Sequence, residues 1–322
     1  MNHIVKRIGI LTGVFAAALC VFFLANNRWN SGQDQAVYMD MEAASLPSIT
    51  VQMLGRDMNR LYGYRQEMNT TAAGENLTIL PEDRALTVDI TGGGVTGISY
   101  EVRSMDRARL VERTEVSDWQ QTQQGIAATL PIQNLLTKER EYQLIIQLDT
   151  ENYGSVYYYT RILWTDSAQH ARDMVDLAAD FSIKTFDYEQ AKSLTTYLET
   201  SPSEDNSTFG HTSIHSSFSQ LTWGKMNMQP EGNVEIRLKE LDGVMCGVQL
   251  SYQAKRQGDG AEETYEVEED FTLKWNELRI YMMQYDRTVN QIFAGDRSEY
   301  SGKRILLGIT QDDRVELVKS AG

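Results

Sequence analysis

The sequence predicts a mainly β protein hung from a single N-terminal transmembrane helix. Three observations predict it. Ile8–Ala25 is an uninterrupted apolar run directly behind Lys6 and Arg7. Most of the chain beyond residue 45 alternates apolar and polar residues in short runs bounded by Gly, Asn, Asp and Ser. Between two such regions, residues 166–201 change to three- and four-residue apolar spacing, the period of an amphipathic helix. The implied order is an anchor, an Ig-like or fibronectin-like β-sandwich, a short helical pair and a second β-rich domain.

Residues 1–7 form a basic N-terminus. At about 1.5 Å rise per residue, the run of about 18 residues in Ile8–Ala25 spans roughly 27 Å, close to a hydrocarbon core of roughly 30 Å. The positive flank keeps the N-terminus cytoplasmic and exports the bulk of the chain. Arg28 and Trp29 suit the far interface. Cleavage at Ala16–Ala18 would leave Leu19–Leu24 as a greasy stub, and Leu19 stands where a lipoprotein signal at Cys20 needs a small residue. An uncleaved, single-pass anchor in the cell membrane is expected. Residues 26–45 are polar and read as a juxtamembrane linker.

The chain carries 30 Lys and Arg against 45 Asp and Glu, a formal charge of −15. That excludes nucleic acid as a main partner, because such partners need a basic face. The only cysteines are Cys20 and Cys246, so the exported part can form no internal disulfide. This fits a bacterial envelope better than an animal secreted protein. Cys246 lies in an apolar strand-like stretch and reads as a small buried hydrophobe.

Residues 46–165 read as the sandwich, with an Ig-like core at about 76–165. Ile49, Val51 and Met53 alternate with polar neighbours as a strand. Arg56–Met68 has Met58, Leu61 and Tyr62 at helical spacing between Gly55 and Gly63, and reads as a short helix or irregular connector. Further strands are read at Ala85–Thr91, Gly97–Ser104, Arg109–Val116, Gly125–Ile132, Tyr142–Leu148 and Val156–Trp164. Gly92–Gly94 and Asp149–Ser155 are turns between them.

Residues 166–201 form the helical pair. Ala171, Met174, Val175, Ala178 and Phe181 define one apolar face, with Asp166 or Ser167 as cap. A second helix starts after Asp187, with Gln190 as its capping-box partner, and ends at Ser201-Pro202. Residues 202–322 form the second β region. Its strands are read at His215–Trp223, Val234–Leu241, Val244–Lys255, Thr264–Trp275, Leu278–Gln284, Arg304–Thr310 and Arg314–Val318, with a short helix at Arg287–Phe293. Glu269 breaks the alternation of its strand at an inward position, which suggests a bulge or register change.

Chemistry-bearing residues are sparse. His211 and His215 would face one side of a strand and are the weak metal candidates, but a site needs one or two more ligands. Tyr157, Tyr159 and Arg161 would lie on the outer face of their strand, with Tyr158, Ile162 and Trp164 in the core. That outer face is the candidate interaction surface. The acidic run Glu262–Asp270 reads as a solvated face, since no pair can be singled out as glycosidase carboxylates. No catalytic residues and no cofactor are assigned. In layout alone the chain resembles membrane-tethered accessory proteins of bacterial envelope systems, including those that modulate a sensor kinase. The expectation is a non-catalytic, extracytoplasmic binding protein contacting another envelope protein or a wall polymer. A tethered regulator of a signalling system and an envelope hydrolase with an unrecognised site are the alternatives. The sequence sets no oligomeric state.

Overall fold

The computed structural model describes residues 13–22, 46–68, 74–134, 136–257, 262–292, 300–301 and 304–305. The chain is mainly β, with several sheets and few helices, and divides into two compact units, 1–45 and 46–322.

In the first unit, residues 13–22 form helix α1. Three consecutive alanines and Leu19 favour that conformation. Its ten residues extend about 15 Å at 1.5 Å each. Among the described residues no helix is long and apolar enough to cross a membrane. The remainder of the expected Ile8–Ala25 span lies outside the described residues.

The second unit begins with two five-stranded sheets. The first contains β1 (Ser48–Met53), β2 (Arg56–Tyr62), β4 (Ala85–Thr91), β7 (Trp119–Gln121) and β8 (Ile126–Pro131), in the order β2-β1-β4-β8-β7. The second contains β3 (Leu77–Ile79), β5 (Val95–Arg103), β6 (Leu110–Glu115), β9 (Glu141–Thr150) and β10 (Gly154–Leu163), in the order β3-β10-β9-β5-β6. Only β3 and β10 run parallel among these pairs. Alternating side chains, among them Val51, Val88 and Leu130 from one sheet and Val102, Ile146 and Tyr158 from the other, meet in one apolar core. The arrangement is consistent with a β-sandwich. β3 and β7, three residues each, are too short to leave a periodic trace in the sequence.

Arg56–Met68 is neither a helix nor an irregular connector over its first half, because Arg56–Tyr62 is β2. Met58 and Leu61 both face the core at three-residue spacing. A register shift in the β1–β2 ladder, with Ile49 opposite Leu61 but Val51 opposite Met58, inserts the extra residue. Asn59 occupies that bulge in a left-handed conformation, φ 50°. A strand with a bulge thus imitates helical spacing.

Helix α2 (Ala168–Lys184) buries the face read from its periodicity: Ala171, Met174, Val175, Ala178 and Phe181. Ser167 is its N-cap residue but makes no side-chain capping bond. The second helix is a single turn, α3 (Tyr188–Ala191), continued as a 3₁₀ segment, Lys192–Tyr197. Asp187 caps it, accepting from the Glu189 and Gln190 amides at 2.9 and 3.1 Å, while the Gln190 side chain donates back at 2.8 Å.

A third five-stranded sheet holds β11 (His211–Ser213), β12 (Gln229–Asp242), β13 (Met245–Gln257), β14 (Glu262–Lys274) and β15 (Tyr281–Gln291), in the order β11-β15-β14-β13-β12. α2 packs on its apolar face, where the Phe181 ring lies 5.7 Å from Phe271 and 4.9 Å from Tyr285. Residues 215–223 are not a strand. Ser217 caps the one-turn helix α4 (Phe218–Leu221) through the Gln220 amide at 3.2 Å. Arg287–Gln291 continues β15 and is not helical; Arg287 and Val289 point inward two residues apart. The two closing strands expected at 304–318 lie almost wholly outside the described residues, which hold only a short pair, Tyr300–Ser301 with Arg304–Ile305.

Glu269 sits in an unbroken stretch of ladder, opposite Leu250 on β13 and Arg287 on β15. The expected bulge lies further along, between Thr272 and Leu273. Glu269 points inward because it belongs to a buried polar cluster. Glu269 and Arg287 are both fully buried. Glu269 Oε1 accepts from the Tyr285 hydroxyl at 2.7 Å. The Arg287 guanidinium stacks 3.6 Å from the Trp223 ring and donates to the Leu221 and Gln220 carbonyls at 3.1 and 3.0 Å.

Candidate functional site

The outer face of the second sheet begins from strand alternation. Val156, Tyr158 and Ile162 of β10 enter the core, and Tyr158 donates to the Pro47 carbonyl at 2.7 Å. Tyr157, Tyr159 and Arg161 therefore point the other way. The ladder sets Gln147, Ile145 and Gln143 of β9 beside them, then Ser99, Glu101 and Arg103 of β5. Glu115 and Arg113 of β6 complete the row.

Part of this face is covered by the chain itself. After β2, Gly63 passes so close to β10 that a Cβ there would meet Val156 Cγ1 at 2.5 Å and the Tyr158 hydroxyl at 2.8 Å. Only glycine fits that approach. Residues 64–68 then form a strap over the sheet. Tyr64 exchanges both backbone hydrogen bonds with Tyr157 at 2.9 Å. Its ring meets Tyr159 edge-on at 5.9 Å, and the Met68 amide donates to the Tyr159 hydroxyl at 2.7 Å. Arg107 pins the strap through Glu67 at 2.9 Å and through the Met68 carbonyl.

Tyr159 is consequently 5 % exposed, against the expectation that it lies outside. Burial raises its hydroxyl above the ordinary tyrosine range. Arg161 is half-buried and works as an internal clamp. It pairs with Glu141 at 2.9 Å and donates to the carbonyls of Gly74 at 3.2 Å, Glu75 at 3.3 Å and Lys239. Trp164 packs against the core only in part, with the Arg84 and Lys138 cations over its ring at 5.0 and 4.9 Å.

What stays open is a recess of about 370 Å³ bordered by Tyr157, Ile145, Gln147, Ser99, Glu101 and Arg113, with Glu67 and Glu115 at its rim. Burial alone would raise the Glu101 carboxyl. Hydrogen bonds from Arg103, at 2.6 Å, and from Arg113 outweigh it and hold that carboxyl below the usual glutamate range. Glu101 is thus a fixed anion between two guanidiniums and not a proton donor near neutrality. A half-exposed ring, a side-chain amide, a hydroxyl and paired planar ions suit stacking and hydrogen bonding to a polar ligand.

The other candidates are dispersed. His211 Nε2 lies 3.2 Å from Asp286, while His215, beyond the end of β11, places Nδ1 3.0 Å from the Glu199 carbonyl. The strand stops at Ser213, so the two rings do not share its face. Among the described residues no group of three or more His, Cys, Asp or Glu is placed to hold a metal ion. Cys246 is 1 % exposed, and burial, with the Glu240 charge adding, pushes its thiol up to about 12. Of the acidic run, Glu266 and Glu268 lie on the outer side of β14, Glu263 pairs with Arg256 at 2.6 Å, and Glu269 is internal.

Of the three residues singled out from the sequence, Tyr157 borders the recess, Tyr159 lies under the strap and Arg161 is an internal clamp; the strap, Arg107 and Arg113 were not singled out. Nothing local marks them, because their role depends on which strand lies beneath. No protein-family model and no curated protein matches the chain.

Proposed function

We propose that this chain is a membrane-tethered, extracytoplasmic binding protein of a bacterial envelope that works without catalysis. In this reading its first two sheets are an Ig-like or fibronectin-like sandwich whose outer face contacts a wall polymer or another envelope protein. The observation that carries the binding role is the recess at Tyr157, where a ring and fixed polar groups are presented on a rigid sheet. The tether draws support from α1. Val14, Phe15 and Val21 are each more than 60 % exposed, and an apolar helix of that kind calls for lipid or a partner helix around it.

The test uses the full-length chain in its native cells. A photo-crosslinking residue replaces exposed Glu115 at the recess or, as control, exposed Glu266 on the third sheet. Membrane recovery with an adduct formed from position 115 and not from 266 is expected, and Tyr157→Ala should diminish it. Equal adducts from both positions, or none from 115, would overturn the reading.

A further inference from the structure

A second cavity lies apart from that recess, between α2 and the third sheet. It has a volume of about 430 Å³, within the roughly 300–1,000 Å³ typical of small-molecule sites. Its walls are apolar: Ala179, Ile183 and Phe186 from α2 and the turn after it, and Val234, Ile236 and Leu250 from β12 and β13. At the inner end the Ser182 and Tyr252 hydroxyls stand 3.4 Å apart. Behind them lies Glu269, the ladder partner of Leu250 in the wall, and both hydroxyls are close enough to pull on its carboxyl. Glu269 is fully buried. Its Oε1 accepts from the Tyr285 hydroxyl, while Oε2 takes no hydrogen bond from the described residues.

The charge along this cleft has one sign. Arg287 is the ladder partner of Glu269 on β15 but forms no ion pair with it. Its guanidinium is held by the Trp223 ring, the Leu221 and Gln220 carbonyls and the Thr212 hydroxyl, on the β11 side of the sheet, whereas the cleft lies on the β12 side. At the Tyr252 hydroxyl the Glu269 charge accordingly outweighs that of Arg287. At the mouth Arg56 is paired with Asp176 at 2.6 Å, and Asp57 beside it has no ion-pair partner among the described residues. An anionic head is repelled at both ends, and a neutral chain leaves the inner carboxyl without a counter-charge. An ammonium brings three donors, no acceptor and the positive charge that both ends lack. We propose that this cleft binds a primary alkylamine, its ammonium at Ser182, Tyr252 and the Glu269 carboxyl and its chain along Ile183, Val234, Ile236 and Leu250. The groups facing that carboxyl are Arg287 and Tyr285 on β15, Tyr252 on β13 and Ser182 on α2. Burial favours its protonated form and a bound cation favours its ionised form, so binding releases a proton and strengthens as pH rises. This site is independent of the recess at Tyr157 and of the partner it takes.

The test is photolabelling of the full-length chain in zwitterionic lipid nanodiscs with a decylamine carrying a chain diazirine, mapped by mass spectrometry. Label is expected within residues 179–186 and 230–252. It should rise from about pH 5 to about pH 8, a range in which an alkylammonium stays charged. Excess decylamine should suppress it at concentrations at least about tenfold below those of decanol, and decanoate should not compete. Glu269→Gln keeps the side-chain shape and should lower labelling about tenfold at the upper pH and flatten the profile. Val234→Trp and Ile183→Trp, both at exposed rim positions (41 % and 52 %), fill the cleft from opposite walls and should lower labelling by at least as much. Circular dichroism identifies which variants are folded, and the rim variants decide the matter where Glu269→Gln is not. Label outside the cleft only, no label, decanol competing as well as decylamine, or full labelling of any folded variant would each overturn the proposal.

Discussion

Asn59 joins three strands that lie far apart in sequence, and replacing it should unfasten the third sheet from the first two. Its side chain is fully buried. Nδ2 donates to the Leu77 carbonyl on β3 at 2.8 Å, and Oδ1 accepts from the Leu238 amide on β12 at 2.9 Å. Asn59→Ala strands both backbone groups in a core position, at about 1–3 kcal/mol each. Alanine must also hold φ 50°, a left-handed conformation that asparagine tolerates but that costs alanine about 1–2 kcal/mol. The sum is about 3–8 kcal/mol, a large part of a typical stability of about 5–15 kcal/mol. Asn59→Gly removes the hydrogen bonds but relaxes the backbone, so it should cost about 1 kcal/mol less than alanine. Urea unfolding of the full-length chain, followed by circular dichroism, gives the ranking through the midpoints. A loss below about 1 kcal/mol for Asn59→Ala, or glycine worse than alanine, would refute the assignment of Asn59 as the joint.

Two more outcomes are expected from the buried groups. Burial raises the Glu269 carboxyl above the ordinary glutamate range, against the opposing pull of Arg287 and the hydroxyls of Ser182, Tyr285 and Tyr252. The folded protein then holds that proton more tightly than the unfolded chain. Its contribution to stability is full below the unfolded value and is lost as pH rises through the folded one. Melting temperatures across acidic to neutral pH should show this fall in the wild type and a flatter profile in Glu269→Gln; identical profiles would contradict it. Cys246, with its thiol near 12 and its side chain buried, should resist alkylation at neutral pH until the fold is opened by urea. Modification of Cys246 in the native protein, read by mass spectrometry, would show that β13 is not packed as described.

The sequence by itself determined the features that depend on near neighbours. The alternation of β4, β5, β8, β9 and β10 was legible because each inward side chain is two residues from the next. The buried face of α2 and the Asp187–Gln190 cap were legible for the same reason, since helix faces and caps are set within a few residues. Tertiary structure decided whatever depends on a distant partner. Met58 and Leu61 on β2 share a face only because Asn59 bulges to reach Leu238, 179 residues away. Met282 and Tyr285 on β15 repeat that three-residue spacing at a second register shift. Tyr159 is hidden because a strap led in by Gly63 crosses its strand, and Glu269 is accommodated at its inward position because the Tyr285 hydroxyl on the next strand donates to it. Local periodicity fixes which side of an element is apolar. Which polar groups may also be buried is settled only when a strand from elsewhere in the chain arrives to satisfy them.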